Sequence, residues 1–467
     1  MSKSPKVMII GAGLGGLMLA LLLEKIEVEY EIYERSTSLK PYGAGMSLGA
    51  NILPVFEQLG IYEDLLKISF PCSYMEMYTE DMTPISKMNI GGNIGNVGYN
   101  TQFFSRPDVH SLLLSKVPAR KIHYGKKVLS VGSSEHGTLI RCADGTTYEG
   151  DILVGADGAY SAVRQSLYKR LEKDGKLPKS DSQPLDIGYT CLVGTTLPLD
   201  PEKYPILKDD ISHFAVVIAD GKPYSLTLIN VPGNRVTWGV VIQLTPPEKE
   251  ATFRNSEWTT EALEATIAPF ANHKTPFGGI LADFIKETPK EYISNVYLEE
   301  KIFETWNSGR IALIGDACHK MLPSAGQGAI NAMQDAVILA NCIYELGASI
   351  SNESIEAALQ DYKNQRYNHA KGQVRNSSVS GKLLYSQSWF SRVVRKLVLS
   401  FMPKEFEKTS ITMTAAYRPQ ATFLPLREKK GTLELVPQKP SKRYEEEQKK
   451  LKARSESPAS DSTPSAI

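Results

Sequence analysis

The residues whose types and spacing could do chemistry begin with Gly11-Ala12-Gly13-Leu14-Gly15-Gly16. A Gly-x-Gly-x-x-Gly turn lets a pyrophosphate approach the backbone and meet the N-terminus of the next helix, where aligned peptide dipoles favour negative charge. Glu34 follows about twenty residues later, at the end of Val28–Tyr33, where a carboxylate can accept hydrogen bonds from ribose hydroxyls. A carboxylate in that place disfavours a 2′-phosphate, and so argues against NADPH at this particular position. The motif alone does not separate NAD from FAD. Two more carboxylates adjoin glycines: Asp157-Gly158 after the apolar run Ile152–Gly155, and Gly315-Asp316 after Ile311–Ile314, with Pro323 and Gly326-Gln327-Gly328 beyond. Between these last two groups, His319 reads as a satisfied interior histidine and Cys318 as a small buried hydrophobe.

These groups need elements to position them, and the hydrophobic pattern supplies the elements. Lys6–Ile10 is an apolar strand, Leu17–Lys25 a helix and Val28–Tyr33 a second strand, so the glycines sit in a full βαβ unit. The uncharged stretch Val7–Leu23 approaches the length of a membrane span, yet its glycine cluster and the return of charge at Glu24-Lys25 favour buried strand, turn and helix. From about residue 180 to 299, runs such as Phe214–Ile218, Tyr224–Ile229 and Val236–Leu244 are rich in β-branched and aromatic residues. Turn residues punctuate them, which predicts an antiparallel sheet. Trp389–Pro403 is amphipathic with Arg392, Arg395 and Lys396 between apolar positions. Residues 437–467 are rich in Lys, Glu, Ser and Pro and read as a disordered tail.

Composition narrows the class. In 467 residues, 42% are hydrophobic and 22% charged, and 53 Lys+Arg against 52 Asp+Glu give a formal charge of +1. No global basic field points to nucleic acid. Five scattered cysteines without a CxxC pair argue against a disulfide framework and against a metal knuckle, so no metal site is expected. A reducing, cytoplasmic setting is the simpler expectation, with 389–402 as a candidate peripheral contact to an intracellular membrane.

In this order and at these separations, the glycine fingerprint, the Asp157-Gly158 segment and the Gly315-Asp316 segment resemble the single-component flavin monooxygenases of the para-hydroxybenzoate hydroxylase fold. Ala317–Ala336 is most similar to fungal FAD epoxidases and hydroxylases acting on meroterpenoid or indole-alkaloid substrates. The resemblance covers Lys6 to about Leu346. It implies an α/β protein: a Rossmann-like FAD-binding domain interleaved with an antiparallel β-sheet substrate domain, plus C-terminal helices. The expected boundaries are 1–180 and 300–370 for FAD, 181–299 for the sheet, 371–436 for a helical extension and 437–467 for the tail. The implied cofactor set is Gly11, Gly13, Gly16, Glu34, Arg35, Gly45, Arg106, Asp157, Asp316, Gly326, Gly328 and Ala329. Asp316 would meet the ribityl or ribose hydroxyls, Asp157 would bridge pyrophosphate and NADPH handling, and Arg106 would contact the flavin from outside the glycine turn. Two departures stand out. Ile330 follows Ala329, with Asn331 one position later than the family's usual asparagine, and Thr190 stands where the fungal epoxidases tend to carry Arg.

The activity implied is that of an NADPH- or NADH-consuming monooxygenase with tightly but non-covalently bound FAD. Through a flavin C4a-hydroperoxide it would insert one oxygen atom of O₂, by hydroxylation or epoxidation, into a small hydrophobic aromatic or isoprenoid-type substrate. Tyr189 and Tyr224 are the nominated catalytic side chains, with ordinary sheet packing as the alternative for each. Other enzymes on the scaffold, a halogenase or prenyl-chain reductase, and a flavin-free prenyl or lipid escort are the alternatives. The four tryptophans (Trp238, Trp258, Trp306, Trp389) lie too far apart for a halogenase Trp-x-Trp-x-Ile signature, and intact Asp157, Asp316 and Gly326-Gln327-Gly328 argue against the escort. Oligomeric state has no signal in the sequence.

Overall fold

The structure, a computed structural model, describes residues 4–38, 43–134, 137–219, 222, 224–245, 248, 265–385, 393, 395 and 404–456. Val7–Ile10 is wholly buried and lies between two parallel neighbours, Tyr30–Tyr33 and Ile152–Gly155. Burial on both faces explains why it reads as a continuous apolar run rather than an alternating one. The six-stranded sheet built on it runs Asn307–Ser308, Ile311–Leu313, Ile152–Gly155, Val7–Ile10, Tyr30–Tyr33, Ile122–His123. Its register pairs Ile10 with both Tyr33 and Gly155, and Gly155 with Leu313. The four central strands therefore end together, which delivers Gly11, Glu34, Asp157 and Asp316 to one carboxyl edge, where ligands of parallel sheets bind.

A second, eight-stranded sheet runs His319–Lys320, Ser294–Ile302, Asp186–Thr195, Arg235–Gln243, Tyr224–Val231, Phe214–Ile218, Tyr74–Thr79, Pro84–Asn89. The sheet was expected within residues 181–299, but the strand His319–Lys320 lies beyond them and the hairpin 74–89 comes from the first nucleotide segment. It joins by a parallel pairing of Tyr74–Thr79 with Phe214–Ile218, so the sheet is mixed at that point. The two faces follow the period-two alternation of strands. Tyr224, Leu226, Leu228, Trp238 and Val240 pack outward on Phe270, Leu281 and Phe284. Met75, Met77, Cys191, Val216, Ile218 and Val241 pack inward with Leu322, on the side of the nucleotide domain.

The helix Gly328–Leu346 crosses the glycine-turn helix Leu14–Lys25 closely, and a Cβ on Gly15 would lie 3.2 Å from that of Ala332. The helix Asn352–Tyr385 then runs without a break through the boundary expected at residue 370, because no Pro stands there to end it, and Gly372 is carried within it. Beyond Lys404–Ala415, residues 416–441 form an irregular strap across the nucleotide domain. The expected disorder from residue 437 is corrected at Lys442–Glu456, which is helical. Ser441 Oγ caps it by accepting from Tyr444 N (3.0 Å), and Arg443 Nε holds Glu447 (2.9 Å) at i,i+4. A Lys/Glu-rich composition that cannot build a core can still build a helix from such pairs when neighbours hold its end, as Tyr344 O does here by accepting from Arg443 Nη1 (2.7 Å). Among the described residues, no helix is long and apolar enough to cross a membrane.

Candidate active site

The glycine turn is built for close approach. Gly11 has φ +104°, and a Cβ there would sit 2.5 Å from Ala156 O; one on Gly16 would sit 2.2 Å from Gly11 O. Gly13 differs, with nothing within 4 Å of an added Cβ, so the open side of the turn faces a space the size of a ligand backbone contact. Gly13 caps the helix Leu14–Lys25 without a side-chain hydrogen bond, and no acid stands in the first turn. Those free N–H groups suit a phosphate. Glu34, 8% exposed, accepts from Ala12 N through Oε2 (2.9 Å) and from Ser36 N through Oε1 (2.8 Å). It therefore braces the turn. Arg35, in the same candidate set, is exposed beside it.

Asp157 Oδ2 accepts from Ala162 N (2.7 Å) and Val163 N (3.2 Å), which caps the helix Ala162–Lys173. Burial pushes its carboxyl above the ordinary value, and Oδ1 is buried with no partner. A buried unpaired carboxylate oxygen at the pyrophosphate edge fits a ligand that brings a hydroxyl donor. Asp316 Oδ2 accepts from Lys320 Nζ (2.6 Å), and its charge also faces Arg106, the first residue of the helix Arg106–Ser115. Burial alone would lower the Lys320 ammonium, but Asp316 outweighs it and leaves it raised. Glu299 completes this group from the second sheet; it is 2% exposed, raised by burial and bonded to the Tyr160 hydroxyl.

The turn Gly326-Gln327-Gly328 closes the other side. Gly326 has φ +63°, Ser47 Oγ lies 3.8 Å from where its Cβ would be, and Asn51 Nδ2 donates to Gln327 Oε1 (3.0 Å). Ala329 stands in the first turn of the helix that follows. Gly45 carries the opposite wall; its Cβ would meet Thr237 Oγ1 at 2.4 Å, and Gly43 lies under the stem of Arg106, with Cδ 2.8 Å from an added Cβ. Tyr189 faces this inner side, against Tyr385 (centroids 5.5 Å). Tyr224 does not. Its strand parity turns it outward onto Phe270 (4.8 Å), with its hydroxyl bonded to Glu80 and His273, so the catalytic nomination of Tyr224 is corrected. Thr190 likewise points away and donates to Asn295 Oδ1 (2.6 Å).

The sequence reading missed the group behind the Gly315-Asp316 turn. Asp335, fully buried, accepts from Gly315 N (2.8 Å) and lies 2.6 Å from His319 Nε2 through Oδ2, while Oδ1 accepts from Arg366 Nε (2.8 Å). Arg366 Nη2 also donates to Asn331 Oδ1 (2.9 Å), which gives the displaced asparagine a structural place. Burial pushes the Asp335 carboxyl up, and the His319 and Arg366 charges outweigh it, leaving it below the ordinary value. Cys318, His319 and Asp335 have metal-ligand spacing, but Arg366 already provides the cation on this carboxylate. The signal was available: an aspartate inside Ala332–Ala340, a helical run apolar but for Gln334 beside it, requires a buried partner. Of the basic stretch 389–402, only residues 393 and 395 lie within the described set. Arg395 is buried and donates to Leu383 O (3.2 Å) and Leu384 O (3.3 Å), so this cation caps a helix end instead of facing a membrane.

A parallel nucleotide sheet with its glycine turn, ribose acid and second acid at one edge, roofed by a large sheet, is the build of an FAD-dependent oxidoreductase. The chain belongs to the FAD binding domain family, which matches residues 4–187 and 237–377. Its relatives are FAD-dependent monooxygenases: ausM of Emericella nidulans is 28% identical over 439 residues, 91% of this chain and 88% of the relative. Monooxygenase andE of Emericella variicolor is 29% identical over 380 residues, covering 79% and 78%. Klebsiella pneumoniae HpxO, solved with FAD and uric acid, shares the fold with a TM-score of 0.70 at 20% identity, over 88% of this chain and 96% of that one. FAD is the cofactor, and the enzyme is a monooxygenase of this fold.

Proposed function

We propose that the enzyme uses NADPH or NADH and O₂ to place one oxygen atom, by hydroxylation or epoxidation, into a hydrophobic aromatic or isoprenoid-type molecule. The observation that carries this reading is the inner face of the second sheet. Met75, Met77, Val216, Ile218 and Val241 form its buried apolar core, and the partly buried Val193, Phe214 and Met88 pack beside them. Such a wall recognises its ligand by apolar contact and excludes water, as oxygen transfer requires. Bound FAD supplies the redox chemistry, accepting electrons from the nicotinamide and delivering activated oxygen.

The chain's own residues hold and shield. Glu34 and the turn at Gly11–Gly16 hold the adenosine diphosphate, and Asp316 with Arg106 holds the sugar-alcohol chain. The turn Gly326–Gly328 directs the first N–H groups of its helix toward the flavin edge that becomes negative on reduction. Tyr189, whose hydroxyl burial raises above its ordinary value, stays a neutral donor at working pH and orients the substrate. One glycine fingerprint serves FAD, so the nicotinamide dinucleotide binds transiently, without a dinucleotide fold of its own. NADPH consumption by the FAD-loaded protein, assayed against aromatic and isoprenoid compounds with product mass gaining one oxygen, tests the reading. Reduction only through a separate reductase protein would overturn it.

A further inference from the structure

The strap 416–441 covers the buried charges behind the Gly315-Asp316 turn. Arg366 is fully buried, and its Nη1 finds no hydrogen-bond acceptor. What meets the guanidinium is Tyr417, whose ring lies 5.2 Å from its Cζ and whose hydroxyl also acts on the same charge. That ring is held flat against His369 (centroids 4.0 Å, 20° apart), and Tyr417 O accepts from Gln334 Nε2 (3.4 Å), next to Asp335. We propose that the strap governs FAD retention, with Tyr417 as a positioning residue that acts through Arg366 and Asp335 on the turn presenting Asp316.

A desolvated cation over an aromatic face is attracted strongly because no water competes. With its outer edge covered, Arg366 keeps Nε on Asp335 Oδ1, and Asp335 Oδ2 holds Gly315 N. That amide fixes the residue before Asp316, and a shift of the turn would move the Asp316 carboxylate relative to Arg106 and Lys320.

The strap is anchored as a unit. Asn341 Nδ2 donates to Gln420 O (2.9 Å) while its Oδ1 accepts from Thr422 N (2.9 Å). Gln58 does the same with Ala421, donating to its O (3.0 Å) and accepting from its N (2.9 Å). Each amide side chain thus mimics a strand partner, gripping both backbone groups of a segment that has no sheet of its own. Farther along, Thr432 N donates to Gly95 O (3.1 Å) and Leu433 N to Asn96 O (2.9 Å).

The test is FAD binding by the full chain stripped of flavin, followed by fluorescence quenching, with the absorption spectrum of the reconstituted protein as a second readout. Tyr417→Leu fills the volume without an aromatic face and is expected to weaken FAD binding roughly tenfold and shift the bound-flavin bands, and Tyr417→Phe is expected to restore both. FAD affinity and spectrum unchanged in Tyr417→Leu would overturn the proposal. So would an equal loss in Tyr417→Phe, which keeps the ring. If Tyr417→Leu fails to fold, Tyr417→Trp, which enlarges the face, decides by the same affinity comparison: retention at or above the unaltered level supports the proposal, and a tenfold loss refutes it.

Discussion

Glu34→Ala removes a side chain that braces the glycine turn and that we propose meets the ribose, so its cost can be worked from geometry. Two backbone donors, Ala12 N at 2.9 Å and Ser36 N at 2.8 Å, lose a carboxylate acceptor. A hydrogen bond to a charged group contributes about 1.5–3 kcal/mol, and a buried donor left unpaired costs a similar amount. Ser36 is partly solvated and recovers most of its share from water; Ala12 N is buried and does not. The ribose loses its acceptor as well. A net loss of about 1.5–3 kcal/mol corresponds to roughly ten- to a hundredfold weaker FAD binding. Glu34→Gln should fall between, because its amide keeps one acceptor oxygen but turns an NH₂ toward the other N–H. Titration of flavin-free protein with FAD, with thermal unfolding as a check on folding, measures both variants. An alanine variant that folds and binds FAD within twofold of the unaltered protein would refute the reasoning.

Gly16→Ala places a Cβ 2.2 Å from Gly11 O, backbone that cannot yield, so the purified variant should carry almost no flavin by absorbance. Tyr224→Phe should cost about 0.5–1.5 kcal/mol in denaturant unfolding and leave FAD affinity and turnover unchanged, because its hydroxyl faces away from the site. His369 is held neutral by burial, first, and by Arg366, with its value lowered from 6.5 to about 3. The unfolded chain therefore binds a proton below pH 6.5 that the folded chain refuses. Stability should fall as pH drops from 6.5 toward 3, by at most about 1.4 kcal/mol per pH unit from this group, and the slope should flatten in His369→Gln when unfolding is measured across that range.

The nucleotide edge was legible because its demands are local. Gly11, Gly13, Gly16 and Glu34 stand within one βαβ unit, where spacing alone fixes geometry, and the strand ends at Gly155 and Leu313 mark Asp157 and Asp316 by the same pattern. The second sheet was legible as strands but not as a sheet. Nothing in the sequence of Tyr74–Thr79 says that it will run parallel beside Phe214–Ile218, since pairing across 140 residues leaves no local trace. Face assignment failed for Tyr224 for a related reason: a strand buried on both sides has no polar alternation to say which parity faces the ligand. Asp335, Arg366 and Tyr417 come from three separate elements, and only their meeting gives them a role.

The inserted sheet enters and leaves the nucleotide domain on adjacent strands, for Asp186 sits opposite Glu300 in the register. A cassette whose two ends lie side by side can lengthen its loops or change its lining at little cost in chain-closure entropy to its host. Modularity stops, however, at the parallel seam with Tyr74–Thr79. A chimera that grafted another enzyme's roof onto this base through residues 186–302 alone would bring a sheet edge shaped for one hairpin against a different one. The roof therefore travels as 74–89 together with 186–302, and its far edge, Ser294–Ile302, must still meet His319–Lys320 of the base.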